Sequence, residues 1–307
     1  MGKNVLVTNN LTKKYKDFVA LDNVNITIKQ GDIYGLIGRN GAGKTTLMRL
    51  VTTLTTKTRG SFTLFENTNE GLTAIKKRIG CLIETPAFFS NLNAYDNLKY
   101  YAIQKKISDF NNINDSLDLV GLNDTGKKKY KNFSLGMKQR LGIALAILDN
   151  PEFIILDEPI NGLDPIGISE LRDTFKRLSE EKNMTILISS HILSELYLVA
   201  TKFGFIEKGK LIKELTKEEL DIECNKSLAV ETNDSTKAAN ILEKELNIEK
   251  YTIIDKSELR IYDNSISPSK VNKVLVKNDI EVSGLHEFNL SLEDYFKSII
   301  KEDMSNE

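Results

Sequence analysis

Over its first two thirds the chain alternates short apolar runs with amphipathic stretches. Val5-Leu6-Val7 reads as a strand, and Val24, Ile26 and Ile28 alternate with polar neighbours as a half-buried strand does. DIYGLIG (32–38) is a more continuous apolar strand that runs straight into GRNGAGKTT, after which TTLMRLVTTL has helical spacing. SFTLF (61–65) and IGCLIE (79–84) read as further strands. FIILD (153–157) and TILISS (185–190) are short and continuously apolar, as expected of parallel strands covered on both faces. The segment between them is amphipathic and starts with Pro165, a residue suited to the first turn of a helix.

Residues 91–149 have a different texture. Leu98, Tyr101 and Ala102, then Leu117, Leu119 and Val120, predict helices, with breaks at Gly121, Gly126 and Lys127-Lys128-Lys129. The stretch reads as a helical subdomain inserted into an α/β core. Near residue 220 the chain becomes more polar. SLAVET (227–232), a helix at 235–247, YTIID (251–255), ELRIYD (258–263), a helix at 268–278 and IEVSGL (280–285) follow in the order β-α-β-β-α-β. That order predicts a small α+β, ferredoxin-like domain. SLEDYFKSII (291–300) reads as a closing amphipathic helix. The expected organisation is therefore a core domain over 1–222, its helical subdomain over 91–149, and an accessory domain over 223–307.

Composition narrows the function. A chain of 307 residues, 40% hydrophobic and 28% charged, can bury a core without a disulfide or metal. A net charge of −1 argues against a broad basic face, so no nucleic-acid partner is expected. The two cysteines, Cys81 and Cys224, are far apart and form no metal spacing, which fits a reducing cytoplasm. The longest apolar run, LGIALAIL (141–148), is well short of the roughly 20 residues a membrane span needs. MGKNVLVTNN lacks a signal-peptide pattern, and its Val5-Leu6-Val7 favours a strand over a lipidation start.

The chemistry concentrates in a few segments. Gly38 to Thr45 match G-x-x-x-x-G-K-[ST], with a strand before and a helix after. Gly38, Gly41 and Gly43 let the backbone close around phosphates. Lys44 is placed to neutralise the β- and γ-phosphates, and the Thr45 hydroxyl to coordinate Mg²⁺. Arg39, Asn40, Ala42 and Thr46 complete the expected nucleotide contacts. Asp157 ends an apolar strand, where a phosphate-loop protein places its Mg²⁺ carboxylate. Neighbouring strand residues point opposite ways, so Glu158 can face an attacking water. His191 follows TILISS; on its own, a histidine there is more often a structural residue. FSLGMKQR (133–140) puts Ser134 and Gly136 at the mouth of a second helix, a second place for an anion.

Together these segments resemble the ATP-binding subunit of an ABC transporter over residues 1 to about 220. The resemblance implies a phosphate-loop NTPase (ABC ATPase) fold using ATP with Mg²⁺. It puts Tyr15 on adenine, Glu84 where the family usually has the Q-loop glutamine, FSLGMKQR on the signature, NGLD (161–164) on the D-loop and His191 on the switch histidine. It implies that Ser134 and the Gly136 amide hold a phosphate belonging to a second ATP-binding domain, a copy or a paralogue. The signature SLGMKQRLGIA, the IETP stretch and the SLEDYF ending are similar to the bacitracin-resistance and lantibiotic-immunity branch. That branch implies an integral membrane permease as partner, a place on the cytoplasmic face of the membrane, and export or clearance of peptide antibiotics. Leu135, Met137 and Glu84 depart from the general family pattern but occur in the branch. Glu84 stays open between a tolerated substitute and a hinge carboxylate that engages the metal. A soluble ABC ATPase of translation or DNA repair is the alternative; the chain shows neither tandem ATP-binding units nor a coiled-coil insertion. A phosphate-loop kinase is disfavoured by the signature and D-loop.

Overall fold

The computed structural model describes residues 2–66, 71–84, 86–224, 227–262, 266–288 and 291–305. Its contacts divide the chain into two compact units, Met1–Lys217 with Ile299–Glu307, and Glu218–Ser298. The first unit opens with β1 (Asn4–Tyr15), β2 (Phe18–Val24), β3 (Thr27–Lys29), β4 (Ile33–Ile37), α1 (Lys44–Val51), β5 (Arg59–Leu64), α2 (Leu72–Lys77) and β6 (Ile79–Leu82). The inserted helices are α3 (Ala94–Gln104), α4 (Asn111–Leu119) and α5 (Leu135–Ile147). Then come β7 (Phe153–Leu156), α6 (Pro165–Glu180), β8 (Thr185–Ser190), α7 (Leu193–Tyr197), β9 (Lys202–Glu207) and β10 (Lys210–Thr216).

The central sheet has the order β10-β9-β4-β8-β7-β6. Every neighbouring pair from β9 to β6 is parallel, and β10 returns antiparallel at the edge. β4, β7 and β8 are buried at every residue, which is why their sequences are continuously apolar rather than alternating. Because β4, β8, β7 and β6 are parallel neighbours, the segments that follow them emerge along one edge of the sheet. Those segments are the phosphate loop, His191, Asp157-Glu158 and Glu84. An open parallel sheet binds its ligand at that edge.

A second, antiparallel sheet pairs β1 with β2, β3 and β5. The strand expected through Val24, Ile26 and Ile28 is two strands. The Thr8 hydroxyl donates to Val24 O at 3.0 Å and accepts from Ile26 N at 2.8 Å, replacing ladder bonds at the break. Burial still alternates, with Val24, Ile26 and Ile28 all at or below 1% exposure. The reading of IGCLIE also ran too long: β6 stops at Leu82, and Glu84 has φ +70°. The sequence reading passed over β9 and β10, although Lys208 and Gly209, both at positive φ, form the kind of turn that joins a hairpin.

The expected insertion over 91–149 is helical, and its core helix packs tightly on the sheet. Leu141, Ile143, Ala144 and Ile147 of α5 are at most 1% exposed. Under α5, a methyl group on Gly80 of β6 would lie 2.0 Å from the Ala146 carbonyl oxygen. This close approach couples β6, and so the Glu84 turn, to the helix that carries the signature.

The second unit contains α8 (Lys217–Glu223) from Glu218, β11 (Ser227–Thr232), α9 (Ser235–Leu246), β12 (Tyr251–Ile253), β13 (Glu258–Ile261), α10 (Pro268–Lys277), β14 (Val282–Phe288) and the start of α11 (Leu292–Ser305). Its antiparallel sheet runs β12-β13-β11-β14. Val230, Leu242, Leu259, Val271 and Leu275 form its core, each at most 1% exposed. Thr85 and Asp263, at the ends of two stretches read from sequence, lie outside the described residues.

Gly80→Ala is expected to cost about 1–3 kcal/mol, the range for forced overpacking. Urea denaturation followed by circular dichroism, showing a lower midpoint with unchanged slope, checks it.

Candidate functional site: a phosphate loop and a second helix mouth

The phosphate loop is clamped from both sides. At its start, a methyl group on Gly38 would lie 2.3 Å from the Ile206 carbonyl oxygen of β9. At its end, Gly43 has φ +113°, and a methyl group there would lie 2.7 Å from the Ala20 carbonyl oxygen of β2. Only glycine satisfies both the dihedral and the space at Gly43. Gly43 caps α1 without a side-chain acceptor, so the first turn of α1 keeps amides and dipole available for an anion.

Lys44 is 5% exposed. Its ammonium donates to Gly38 O at 2.6 Å and Arg39 O at 3.2 Å and lies 3.0 Å from Glu158 Oε1. Thr45 Oγ1 donates to Asp157 Oδ2 at 2.6 Å, and Ser189 Oγ donates to Asp157 Oδ1 at 2.6 Å. Asp157 N donates to Leu82 O at 2.9 Å. The Asp157 carboxylate thus holds loop, β7 and β8 together. Ser189 also accepts from Glu158 N at 2.8 Å. Nothing in the sequence reading singled it out; its signal was the pair of serines, Ser189 and Ser190, that ends a fully buried strand.

Glu158 is separated from Asp157 by a turn, not by strand alternation. β7 ends at Leu156, and Glu158 has φ +47°. Its second oxygen, Oε2, lies 2.8 Å from His191 Nδ1. A carboxylate only accepts, so Nδ1–H donates and Nε2 is left for another partner. On α7, burial holds the Glu195 carboxyl above the usual carboxylate range; His191 opposes this and the Glu158 charge adds to it.

A cavity of about 260 Å³ is lined by residues 39–46, Phe18, Ala20 and Glu158. Tyr15 is not among them. It sits at the end of β1 with the Lys13 ammonium 4.5 Å over its ring, and its cross-strand neighbour Phe18 reaches the cavity. Sequence reasoning missed Phe18, although it is a 62% exposed aromatic three residues on. Glu84 points to Arg49 of α1, which donates to its Oε1, and makes no hydrogen bond to Thr45 or Asp157 among the described residues. A larger cavity of about 550 Å³, walled by Val51, Leu54, Phe62 and Ile79, holds none of these groups.

A second helix mouth lies at the start of α5. Ser134 caps α5, its Oγ accepting from Met137 N at 3.2 Å. Asp164 caps α6, its Oδ1 accepting from Gly167 N at 2.8 Å. The two capped turns line one cavity of about 410 Å³. A methyl group on Gly136 would meet only Leu163 Cδ2, at 3.7 Å, so the fold itself does not need glycine there. This cavity shares no lining residue with the one at the phosphate loop.

The family model for ABC transporters matches residues 21–161. The bacitracin transport ATP-binding protein BcrA of Bacillus licheniformis is 43% identical over 301 residues, covering 96% of this chain and 97% of its own length. The lantibiotic transport ATP-binding protein SrtF of Streptococcus pyogenes is 48% identical over 210 residues, covering 68% of this chain and 90% of its own. An ATP-binding cassette solved as a dimer in a post-hydrolysis state with ADP and Pi has TM-score 0.60 at 24% identity. It covers 69% of this chain and 98% of that one, a likeness of fold. The chain belongs to the ATP-binding proteins of ABC transporters. It binds ATP and is an ATPase.

Lys44→Ala removes the buried ammonium of the loop while leaving both sheets intact. ATPase activity and binding of a fluorescent ATP analogue are expected to collapse together, with an unchanged circular dichroism spectrum. Ser189→Ala leaves Asp157 and the Glu158 amide each short of a partner. Its turnover is expected to fall about 10–100-fold, the usual loss when a supporting hydrogen bond at such a site is removed, with a higher Mg²⁺ requirement. Steady-state ATPase assays over a Mg²⁺ titration read both.

Proposed function

We propose that this chain is the ATP-hydrolysing subunit of a transporter that exports or clears peptide antibiotics of the bacitracin or lantibiotic type from the membrane, conferring immunity or resistance. The observation that carries the reading is the span of the similarity to the bacitracin transport protein. It runs over 96% of the chain, well past the nucleotide-binding core. No helix among the described residues is long and apolar enough to cross a membrane. In this reading the transport path belongs to a separate permease, with this subunit on its cytoplasmic face. Exposed apolar side chains on the inserted segment, Tyr100 and Ile103, and Phe89 just before it, suit such a contact.

In the proposed reaction, Lys44 and the amides at the start of α1 hold the β- and γ-phosphates. Thr45 and Asp157 would hold Mg²⁺. Their hard oxygen donors, one carboxylate and one hydroxyl already 2.6 Å apart, suit an ion that completes its shell with phosphate oxygens and water. When bound, the ion neutralises charge on the phosphates. Glu158 accepts a proton from the attacking water as its oxygen bonds to the γ-phosphorus; the bond to the β-phosphate oxygen breaks, leaving ADP and phosphate. His191, oriented by Glu158, contacts the γ-phosphate through Nε2. Tyr15 or its neighbour Phe18 meets the adenine. Glu84 is a hinge carboxylate for which Arg49 competes with any metal.

The separate cavities support a head-to-tail pair, either two copies or a copy with a paralogue. Ser134 and the Gly136 amide of one subunit would meet the phosphate in the loop of the other. The contact boundary near Lys217 supports a domain division near residue 222, although Ile299–Glu307 group with the first unit rather than with the accessory domain expected over 223–307; the strand order β12-β13-β11-β14 supports a ferredoxin-like accessory domain.

Glu158→Gln keeps the shape of the side chain and loses proton acceptance, a change worth about 10²–10⁴ in rate. The variant is expected to bind ATP and to elute as a dimer in ATP, and wild type to do so only when EDTA withholds Mg²⁺. Deletion of the gene is expected to sensitise cells to a bacitracin- or lantibiotic-type peptide, with wild type but not Lys44→Ala restoring growth. Unchanged sensitivity to every such peptide, or co-purification with ribosomes or DNA rather than an integral membrane protein, would sink the transport reading.

A further inference from the structure

The C-terminal turn of α4 is a meeting point for two arginines from different helices. Arg140 of α5 donates through Nη1 to Val120 O at 3.4 Å and Gly121 O at 3.2 Å. Its Nη2 lies 3.1 Å from Glu170 Oε2 of α6, and the Arg140 side chain is only 14% exposed. Arg177 of α6 donates through Nη1 to Asp118 O at 3.1 Å and Leu119 O at 3.4 Å. The last carbonyls of a helix lack partners within it and carry its negative dipole end, so guanidinium groups are favoured there. Gly121 makes the approach possible: its φ is +64°, and a methyl group on it would lie 3.3 Å from Arg140 Nη1.

This hub joins the two helices whose capped first turns form the second mouth. Arg140 stands six positions after the cap Ser134 (134 to 140), and Glu170 six after the cap Asp164 (164 to 170). At the helical rise, that places the bridge roughly 9 Å behind each cap. Arg140 and Glu170 line the same cavity as the caps. Positioning a charged group requires its supports to be held within about half an ångström.

We propose that Arg140 is a positioning residue. Anchored on α4 and bridged to Glu170, it holds the Ser134 and Asp164 turns at the spacing needed to receive a phosphate from a second ATP-binding domain. The proposal rests on the paired-subunit reading above, and it makes pairing, not nucleotide binding at the chain's own loop, the property Arg140 controls. A residue that merely stabilised the fold would lower both together.

Two conservative variants of the full-length chain test it. Arg140→Lys keeps the charge and loses the fork; Glu170→Gln removes only the bridge. In the Glu158→Gln background, each is expected to raise the ATP concentration for half-maximal dimerisation by about tenfold. Affinity for a fluorescent ATP analogue, measured at protein concentrations too low for pairing, is expected to stay unchanged. Hydrogen exchange on the single chain reads the geometry without any dimer. Peptides covering 136–139 and 166–169, with the capped amides of Met137 and Gly167, are expected to exchange faster, and those covering 38–46 not to change. If the Glu158→Gln parent fails to pair in ATP, the paired-subunit reading falls, and the exchange data still decide the role of Arg140. Unchanged exchange at both turns, or acceleration spread over the whole first unit, overturns the proposal, as does loss of nucleotide affinity in step with loss of dimer.

Discussion

The arrangement of this site depends on one carboxylate. Asp157 accepts from Thr45 through one oxygen and from Ser189 through the other, and its amide is bound to the Leu82 carbonyl. Those contacts tie together the ends of β4, β8, β7 and β6, the four strands after which the phosphate loop, His191, Asp157-Glu158 and Glu84 emerge. Hydrogen bonds to an ionised group are the strong ones, and both here are short. The neighbouring Glu158 is turned away by a left-handed backbone, so its oxygens meet Lys44 and His191 instead of the Asp157 cluster. In the proposed reaction, this single residue of separation leaves one carboxylate to hold the site and the other to accept the proton.

The departures from the family's usual signature have a physical account. Leu135 occupies the first helical position of α5 with its side chain half exposed, where a larger residue costs the helix nothing. Its side chain is accommodated by Gly162: a methyl group there would lie 3.2 Å from Leu135 Cδ2, and φ at Gly162 is +77°. At Met137 it is the backbone amide that meets the Ser134 cap, and this survives any change of side chain except to proline. The structure keeps the Ser134 cap, open space at Gly136 and two helix starts on one cavity, the features on which the proposed pairing relies.

Charge is distributed to match. The ammonium of Lys44 is buried against carbonyls and Glu158, where its interactions are little screened by salt. The Arg49–Glu84 pair is largely exposed, and ion pairs of that kind contribute little to stability. An exposed pair is also readily exchanged for another partner. The turn after β6 is therefore tied to α1 by an interaction that can be broken at small cost, whereas β6 itself is pinned to α5 at Gly80.

The sequence by itself determined whatever depends on neighbours along the chain. The phosphate loop was legible because its three glycines, Lys44 and Thr45 must lie in one turn between a strand and a helix. Continuous apolar runs marked β4, β7 and β8 because burial on both faces leaves no room for alternation. Ser134 marked the start of α5 and Pro165 the first turn of α6, because both residue types suit helix starts, whereas the cap at Asp164 was read only from the structure. Tertiary structure decided what depends on strand order. Ser189 joined the site because β8 happens to lie beside both β4 and β7. Phe18 rather than Tyr15 came to line the cavity because β2 folds back over the loop at Ala20. Glu84 found Arg49 because β6 ended two residues before it. The convergence of Arg140, Arg177 and Glu170 on the end of α4 involves segments tens of residues apart, and no local periodicity encodes such a meeting. It follows only from packing, since the largely buried guanidinium of Arg140 must find carbonyls or a carboxylate, and in this fold the end of α4 and Glu170 supply them, with the more exposed Arg177 joining at the same turn.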